Sequence, residues 1–232
     1  MKKLIIIPAY NEEDNIEGFL DKLDKNYSDY DYIVINDCSK DSTKEILKRR
    51  NARFLDLPIN LGIGGGVQSG YLYALENDYD IAIQMDGDGQ HLPEYLERLI
   101  APIENDQADA VIGSRFIENE GFQSSLARRM GIKFLSGIIK LLTGVKIYDV
   151  TSGFRAVNRR GIEIFASEYA QDYPEPEALV CGLKNNIRTA EVPVKMQERH
   201  GGESSINGLK TMYYMIKVSL ALVFANETRK RR

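Results

Sequence analysis

Tryptophan is absent from this chain, and cysteine and histidine occur only twice each. Cys38 and Cys181 lie far apart in sequence, so neither a disulfide framework nor a paired-cysteine zinc spacing exists, and a reducing compartment is implied. His91 and His200, the only histidines, are too few for a zinc centre built on nitrogen and sulfur. No Gly-x-Ser-x-Gly elbow or Cys/His pairing supports nucleophilic hydrolysis. A positive charge excess is missing too: the formal net charge is -4, which gives no sign of nucleic-acid binding. The opening apolar run, Leu4-Ile5-Ile6-Ile7, is too short for a signal peptide and is soon followed by Glu12-Glu13-Asp14.

What remains is ordinary globular composition, with 43% hydrophobic and 28% charged residues in 232, enough for one good-sized domain. The charge is uneven. Residues 126–146 carry Arg128, Arg129, Lys133, Lys140 and Lys146 with no acid, and the chain ends Arg229-Lys230-Arg231-Arg232. Basic groups beside apolar segments suit an anionic membrane surface; the alternative is a solvated helix face.

Apolar periodicity predicts strands at 4–7 (ended by Pro8), 31–35, 52–57, 81–85 and 110–112. It predicts helices at 15–25, 41–50, 66–76 and 93–103. This alternation indicates βαβ units and a mainly parallel sheet flanked by helices. The second half is less regular, with an amphipathic helix at 126–142 and a short strand at 192–194. A strongly apolar helix at 209–224 is interrupted by Lys210 and Lys217. That helix falls short of the ~20 residues of a bilayer span, and its lysines disfavour burial at mid-membrane, so an in-plane or partner-facing role is expected.

The loops after strands carry the unusual chemistry, and in an open α/β sheet such loops converge on one cleft. Asp86-Gly87-Asp88-Gly89-Gln90-His91 follows an apolar strand. Two carboxylates one residue apart fit a hard cation that bridges to diphosphate oxygens; the plainer alternative is a polar turn. Asp37 lies in Asn36-Asp37-Cys38-Ser39-Lys40-Asp41-Ser42-Thr43, where an acid could accept from a ribose or nucleobase, while Asp41 or Ser42 caps the next helix. The glycine-rich stretch Asn60-Leu61-Gly62-Ile63-Gly64-Gly65-Gly66 could approach a ligand, but it matches neither Gly-x-Gly-x-x-Gly nor a P-loop.

Taken in order, several segments resemble the family 2 glycosyltransferases with the GT-A (Rossmann-like) fold, in particular the dolichyl- and polyprenyl-phosphate sugar synthases. They are Pro8-Ala9-Tyr10-Asn11-Glu12, the Asn36–Thr43 and Asn60–Gly64 stretches, Met85–His91 and Gly113-Ser114-Arg115-Phe116. Asp149-Val150-Thr151-Ser152-Gly153-Phe154-Arg155, Ala190-Glu191-Val192-Pro193-Val194 and Arg199-His200-Gly201-Gly202-Glu203-Ser204 complete the set.

The resemblance implies that Pro8, Tyr10, Glu12, Asp37 and Gly64 meet the nucleotide. It implies that Asp86, Asp88 and Gln90 hold Mg²⁺ or Mn²⁺ and the donor diphosphate, and that Arg115 and Arg129 contact a lipid phosphate. Asp149 would stand on the acceptor side, and Arg199 and Ser204 on a loop closing over the donor. Ser205 stands where relatives often have lysine, and the Gln-x-x-Arg-Trp motif of processive synthases is absent.

The implied function is inverting transfer from a nucleotide-sugar, UDP-linked by preference, to polyprenyl (undecaprenyl) phosphate for cell-envelope glycans. The alternatives are a soluble transferase acting on a glycan hydroxyl, with Asp149 as base, and a nucleotide-sugar-binding regulatory subunit of a membrane complex. Residues 1–205 would form the transferase domain, and 206–232 an apolar, basic appendage facing the inner surface of the cell membrane or a small membrane-protein partner. Self-association is a further possible use of that appendage.

Overall fold

The structure, a computed structural model, describes residues 1–118, 125–197 and 217–222. Its centre is a seven-stranded sheet in the order β3-β2-β1-β4-β6-β5-β7. The strands are β1 (Lys3–Ala9), β2 (Asp31–Asn36), β3 (Phe54–Asp56), β4 (Ile81–Gln84), β5 (Ala110–Ser114), β6 (Arg155–Asn158) and β7 (Thr189–Pro193). Every strand but β6 runs in one direction; β6 is antiparallel to both β4 and β5. The mainly parallel sheet is as expected, whereas β6, four residues with polar ends, has no periodic signal in the sequence.

β1 continues through Pro8, contrary to the expectation that proline ends it. The Ala9 carbonyl accepts from Asp37 on the β2 side and the Ile6 carbonyl from Met85 on the β4 side. Pro8 has the parity of Ile6, so its missing N–H falls on the β4 side, where pairing stops at Ile6.

Helices flank the sheet; those with both ends among the described residues are α1 (Ile16–Asn26), α2 (Thr43–Arg49), α3 (Gly62–Glu76), α4 (Leu96–Glu104), α5 (Leu126–Thr143), α6 (Arg159–Ser167) and α7 (Pro174–Lys184). A 3-10 turn, Pro93–Tyr95, leads into α4. In α1 the spacing of Ile16, Phe19, Leu20 and Leu23 buries one face, at ~1.5–3 kcal/mol per large apolar side chain. The α1 and α4 side of the sheet forms one apolar layer with Ile5, Ile7 and Ile83. α3 and α6 form the other with Leu4, Ile6 and Ala82.

α3 begins at Gly62, four residues before its expected start, and so absorbs the glycine stretch. A Cβ at Gly64 would stand 2.2 Å from the Ala170 carbonyl, and one at Gly70 would stand 2.2 Å from Ile6 Cγ2. These glycines let a helix lie directly on its neighbours.

α5 is capped by the Ser125 hydroxyl, which accepts from Arg128 N–H, and ends at Gly144 with φ 77°, a left-handed cap suited to glycine. Its Ile132, Leu135 and Ile139 pack with Leu179 and Val180 of α7, and with Val218 and Leu222 of the helical segment 217–222. The described part of the proposed appendage thus turns two side chains into the core, while Leu220 is exposed. Residues 206–216 and 223–232 lie outside the described residues, so the expected helix at 209–224 is seen only in that segment.

Candidate functional site

The carboxyl ends of β1, β2, β4 and β5 open on one side of the sheet, and the loops that leave them are laced together. Asn11, in a left-handed conformation with φ 55°, donates through its backbone N–H to Ser39 Oγ (3.1 Å) and accepts from Lys40 N–H at Oδ1 (2.8 Å). Glu12 N–H donates to Thr43 Oγ1, Glu13 N–H donates to Asp41, and Glu13 in turn accepts from Ser42 N–H. Asp41 is therefore not a simple helix cap. Burial raises its carboxyl, and the donors of Thr43 and Glu13 more than offset this, leaving it below the usual range.

Asp37 is buried, accepts from Leu61 N–H at Oδ1 (2.6 Å), and accepts from Asn60 Nδ2 through its carbonyl. It anchors the entry to α3 as well as standing at the end of β2.

Two chambers result. One, of 400 Å³, is lined by Pro8, Tyr10, Glu12, Asp37, Gly66 and Asp88 among others. The second, of 290 Å³, is lined by Gln90, His91, Arg115, Arg128, Thr151 and Glu175 among others. Asp86 and Ile63 line both, so Asp86 stands at the junction. Gly64 is not among the residues lining either chamber, and a Cβ on it would meet the backbone of Ala170 and Gln171.

Asp88 is buried and accepts from Gln90 N–H at 3.0 Å. His91 accepts at Nδ1 from Asp86 N–H (2.9 Å), which assigns its remaining proton to Nε2, 3.8 Å from Asp86 Oδ2. Burial pushes the imidazole down to about 4, so His91 is neutral, and it stacks on Phe154 with ring centres 5.0 Å apart.

Among the described residues no three His, Cys, Asp or Glu side chains converge on a point. The protein therefore offers the Asp86 and Asp88 carboxylates rather than a closed cage. That donor set fits Mg²⁺ or Mn²⁺ completing its shell with diphosphate oxygens and water. Gln90 lines the second chamber, and it braces Asp88 through its backbone.

Arg115 meets Asp149 through two parallel bonds, Nε to Oδ2 and the terminal nitrogen to Oδ1, each 2.7 Å, and its own N–H also donates to Oδ2. Burial lowers the Arg115 guanidinium and Asp149 more than offsets it, so the arginine remains charged. Asp149 has no exposed surface. Both of its oxygens are engaged by Arg115. Behind it, Glu191 accepts from the N–H groups of Tyr148 and Asp149.

Arg129 was expected at the phosphate, yet Arg128 lines the chamber. Successive helix residues are ~100° apart. Arg128 shares the inward face of Ile132 and Leu135, and Arg129 lies outside it. Arg199 and Ser204 lie outside the described residues.

Thr151, Ser152, Gly153, Asp172 and Glu175 also line the second chamber. The first three fall in a motif already noted. Asp172 and Glu175 sit between and on helices that the sequence did not reveal. Burial raises the Glu175 carboxyl, and the Arg155 guanidinium opposes that rise.

A model described as Glycosyl transferase family 2 matches residues 4–165. The chain is 30% identical over 243 residues to a UDP-N-acetylglucosamine–dolichyl-phosphate N-acetylglucosaminyltransferase of Methanococcus voltae, covering 94% of this chain and 96% of the relative. It is 30% identical to an undecaprenyl-phosphate mannosyltransferase of Micrococcus luteus, covering 90% and 88%. Glucosyl-3-phosphoglycerate synthase of Mycobacterium tuberculosis, solved with Mn²⁺, UDP and phosphoglyceric acid, shares the fold with a TM-score of 0.71. That match has 20% identity and covers 97% of this chain and 78% of the other. The chain belongs to glycosyl transferase family 2 and is a glycosyltransferase homologous to polyprenyl-phosphate sugar synthases.

Proposed function

We propose that this enzyme transfers a sugar, with inversion, from a UDP-sugar to a polyprenyl phosphate such as undecaprenyl phosphate, at the inner face of the cell membrane. The observation that carries the reading is the pair of chambers meeting at Asp86, one lined by Asp37 and Glu12, the other by Arg115 and Arg128. The relatives' names supply the acceptor class, and the solved synthase with UDP and Mn²⁺ supports the donor and cation.

The roles follow from position. Pro8, Tyr10, Glu12 and Asp37 hold the nucleoside. Asp86 and Asp88 would bind Mg²⁺ or Mn²⁺, which when bound neutralises charge developing on the leaving diphosphate. Arg115, fixed by Asp149, and Arg128 orient the acceptor phosphate toward the anomeric carbon. A phosphate is already ionised near neutral pH, so no strong base is required, in keeping with an Asp149 that is fully engaged.

Membrane attachment is supported by α5. Leu126, Met130, Phe134 and Leu141 are exposed, beside the basic row Arg129, Lys133 and Lys140. No described helix is long and apolar enough to cross a membrane. The segment after residue 205 remains our candidate for contact with a small membrane protein or a second copy.

A hydroxyl acceptor is the second reading. The observation favouring it is Glu175, an acceptor-side carboxylate with a raised pKa. Transfer from radiolabelled nucleotide-sugars to undecaprenyl phosphate, with Mn²⁺ and with EDTA, separates the two. An organic-extractable product that EDTA abolishes is expected. Metal-dependent donor binding without lipid product would overturn the phosphate acceptor in favour of a hydroxyl.

A further inference from the structure

Gln84, the last residue of β4, has no exposed surface, yet its Nε2 has no hydrogen-bond partner among the described residues. A buried amide donor left unsatisfied is costly, and an apolar residue would avoid the cost. The rest of β4 is Ile81-Ala82-Ile83, so a glutamine here calls for a reason.

The reason lies at Gly153. A Cβ on Gly153 would stand 3.2 Å from Gln84 Nε2 and 3.2 Å from Asp86 Oδ2. The amide and the carboxylate therefore border one slot that only glycine leaves open. On the far side of Gln84, the Tyr169 hydroxyl lies 3.2 Å from Oε1. Which end of an amide faces which way is decided by its neighbours. Tyr169 is buried, and burial, then Tyr71, hold its phenol well above the ordinary range, so it stays a donor and pins Oε1. The reversed amide would also aim its oxygen at the Asp86 carboxylate.

We propose that Gln84 is a positioning residue whose Nε2 donates through one water in the Gly153 slot to the Asp86 carboxylate, and so fixes the carboxylate that meets the cation. Tyr169 acts one step further back. Partners behind metal ligands typically change affinity 10–100-fold when removed. The inference rests on the metal reading given above.

The test is Mn²⁺ binding in the presence of UDP, read from the resonance of free aquated Mn²⁺, for wild type, Gln84→Met and Tyr169→Phe. Thermal melting and the Mn²⁺ dependence of turnover are measured on the same samples. Gln84→Met should weaken Mn²⁺ binding about tenfold, with the loss appearing in the Mn²⁺ needed for half-maximal rate rather than in the rate at saturation. Tyr169→Phe should weaken it by a smaller factor. Unchanged Mn²⁺ affinity in both variants, with or without a lower melting temperature, would overturn the proposal and leave Gln84 a packing residue. If Gln84→Met does not fold, Tyr169→Phe, which deletes one oxygen, decides alone. A wild type that binds no Mn²⁺ sinks the metal reading itself, an outcome distinct from unequal or equal variants.

Discussion

Asp149 accepts from Nε and one terminal nitrogen of Arg115 while its own backbone N–H is held by Glu191, so a wholly buried acid sets the aim of a cation in the second chamber. Replacing Asp149 with asparagine leaves Arg115 enclosed without its counter-ion, and breaking such a pair costs about 3–5 kcal/mol. We expect Asp149→Asn to melt well below wild type and to raise KM for the acceptor, with the pH dependence of kcat unchanged in shape. Loss of the acidic limb of that profile, at wild-type melting temperature, would instead make Asp149 a proton acceptor.

Gly64 and Gly66 separate packing from ligand contact within one helix turn. A Cβ on Gly64 collides with backbone of Ala170 and Gln171, while one on Gly66 meets only Ile35 Cγ2 at 4.0 Å. Gly66 lines the chamber that also holds Asp37 and Glu12. Gly64→Ala should therefore destabilise by roughly 1–3 kcal/mol. Gly66→Ala should fold normally and bind the nucleotide more weakly. Calorimetric melting and titration with UDP check both, and the reverse pattern would restore Gly64 to the ligand.

The parallel half of the sheet was legible because its strands are apolar runs and its helices repeat with a helical period. Ile16, Phe19, Leu20 and Leu23 are buried as their spacing requires. The junction acids were legible from their place behind β4. Three things were not. Pro8 is accommodated because β4 pairing ends below it, a fact of sheet order rather than of local sequence. Gly64 is explained by residues more than a hundred positions away. Glu175 and Asp172 enter the chamber only after β6 reverses the chain, and β6 is four residues long. Arg128 was visible as a charge, but that it lines the chamber needed the face of α5.

Stability should depend on pH through Asp109, which joins the starts of β5 and β7 and the end of β6. It accepts from Arg188 at both oxygens and from Asn158, and burial does not prevent its carboxyl falling to about 2, chiefly through the Arg188 bond. A folded-state value below the ordinary carboxylate value of ~3.9 contributes stability above that pH. The contribution fades as pH falls toward 2. Asp109→Asn should lower the melting temperature at neutral pH, and the gap to wild type should close between about pH 4 and pH 2. A gap that persists unchanged at low pH would mean the site acts through shape alone.

α5 makes the membrane reading testable without touching the cleft. Met130 is 64% exposed and Phe134 59%, with Leu126 and Leu141 continuing the stripe, whereas Ile132, Leu135 and Ile139 are buried on the opposite face. Changing Met130 and Phe134 together to serine removes apolar surface that already faces solvent, so stability should shift by no more than ~0.5 kcal/mol per site. Side chains of this size contribute ~1.5–3 kcal/mol each when fully withdrawn from water. Flotation with vesicles containing phosphatidylglycerol should therefore show at least about a tenfold loss of binding for the double variant. Lys133→Glu and Lys140→Glu should weaken binding further at low salt and less at high salt, since each basic group near an anionic surface is worth ~1 kcal/mol and is screened by ions. Vesicle binding that ignores the serine changes but follows the lysines would make the attachment electrostatic, and the apolar stripe would then be a surface for a protein partner.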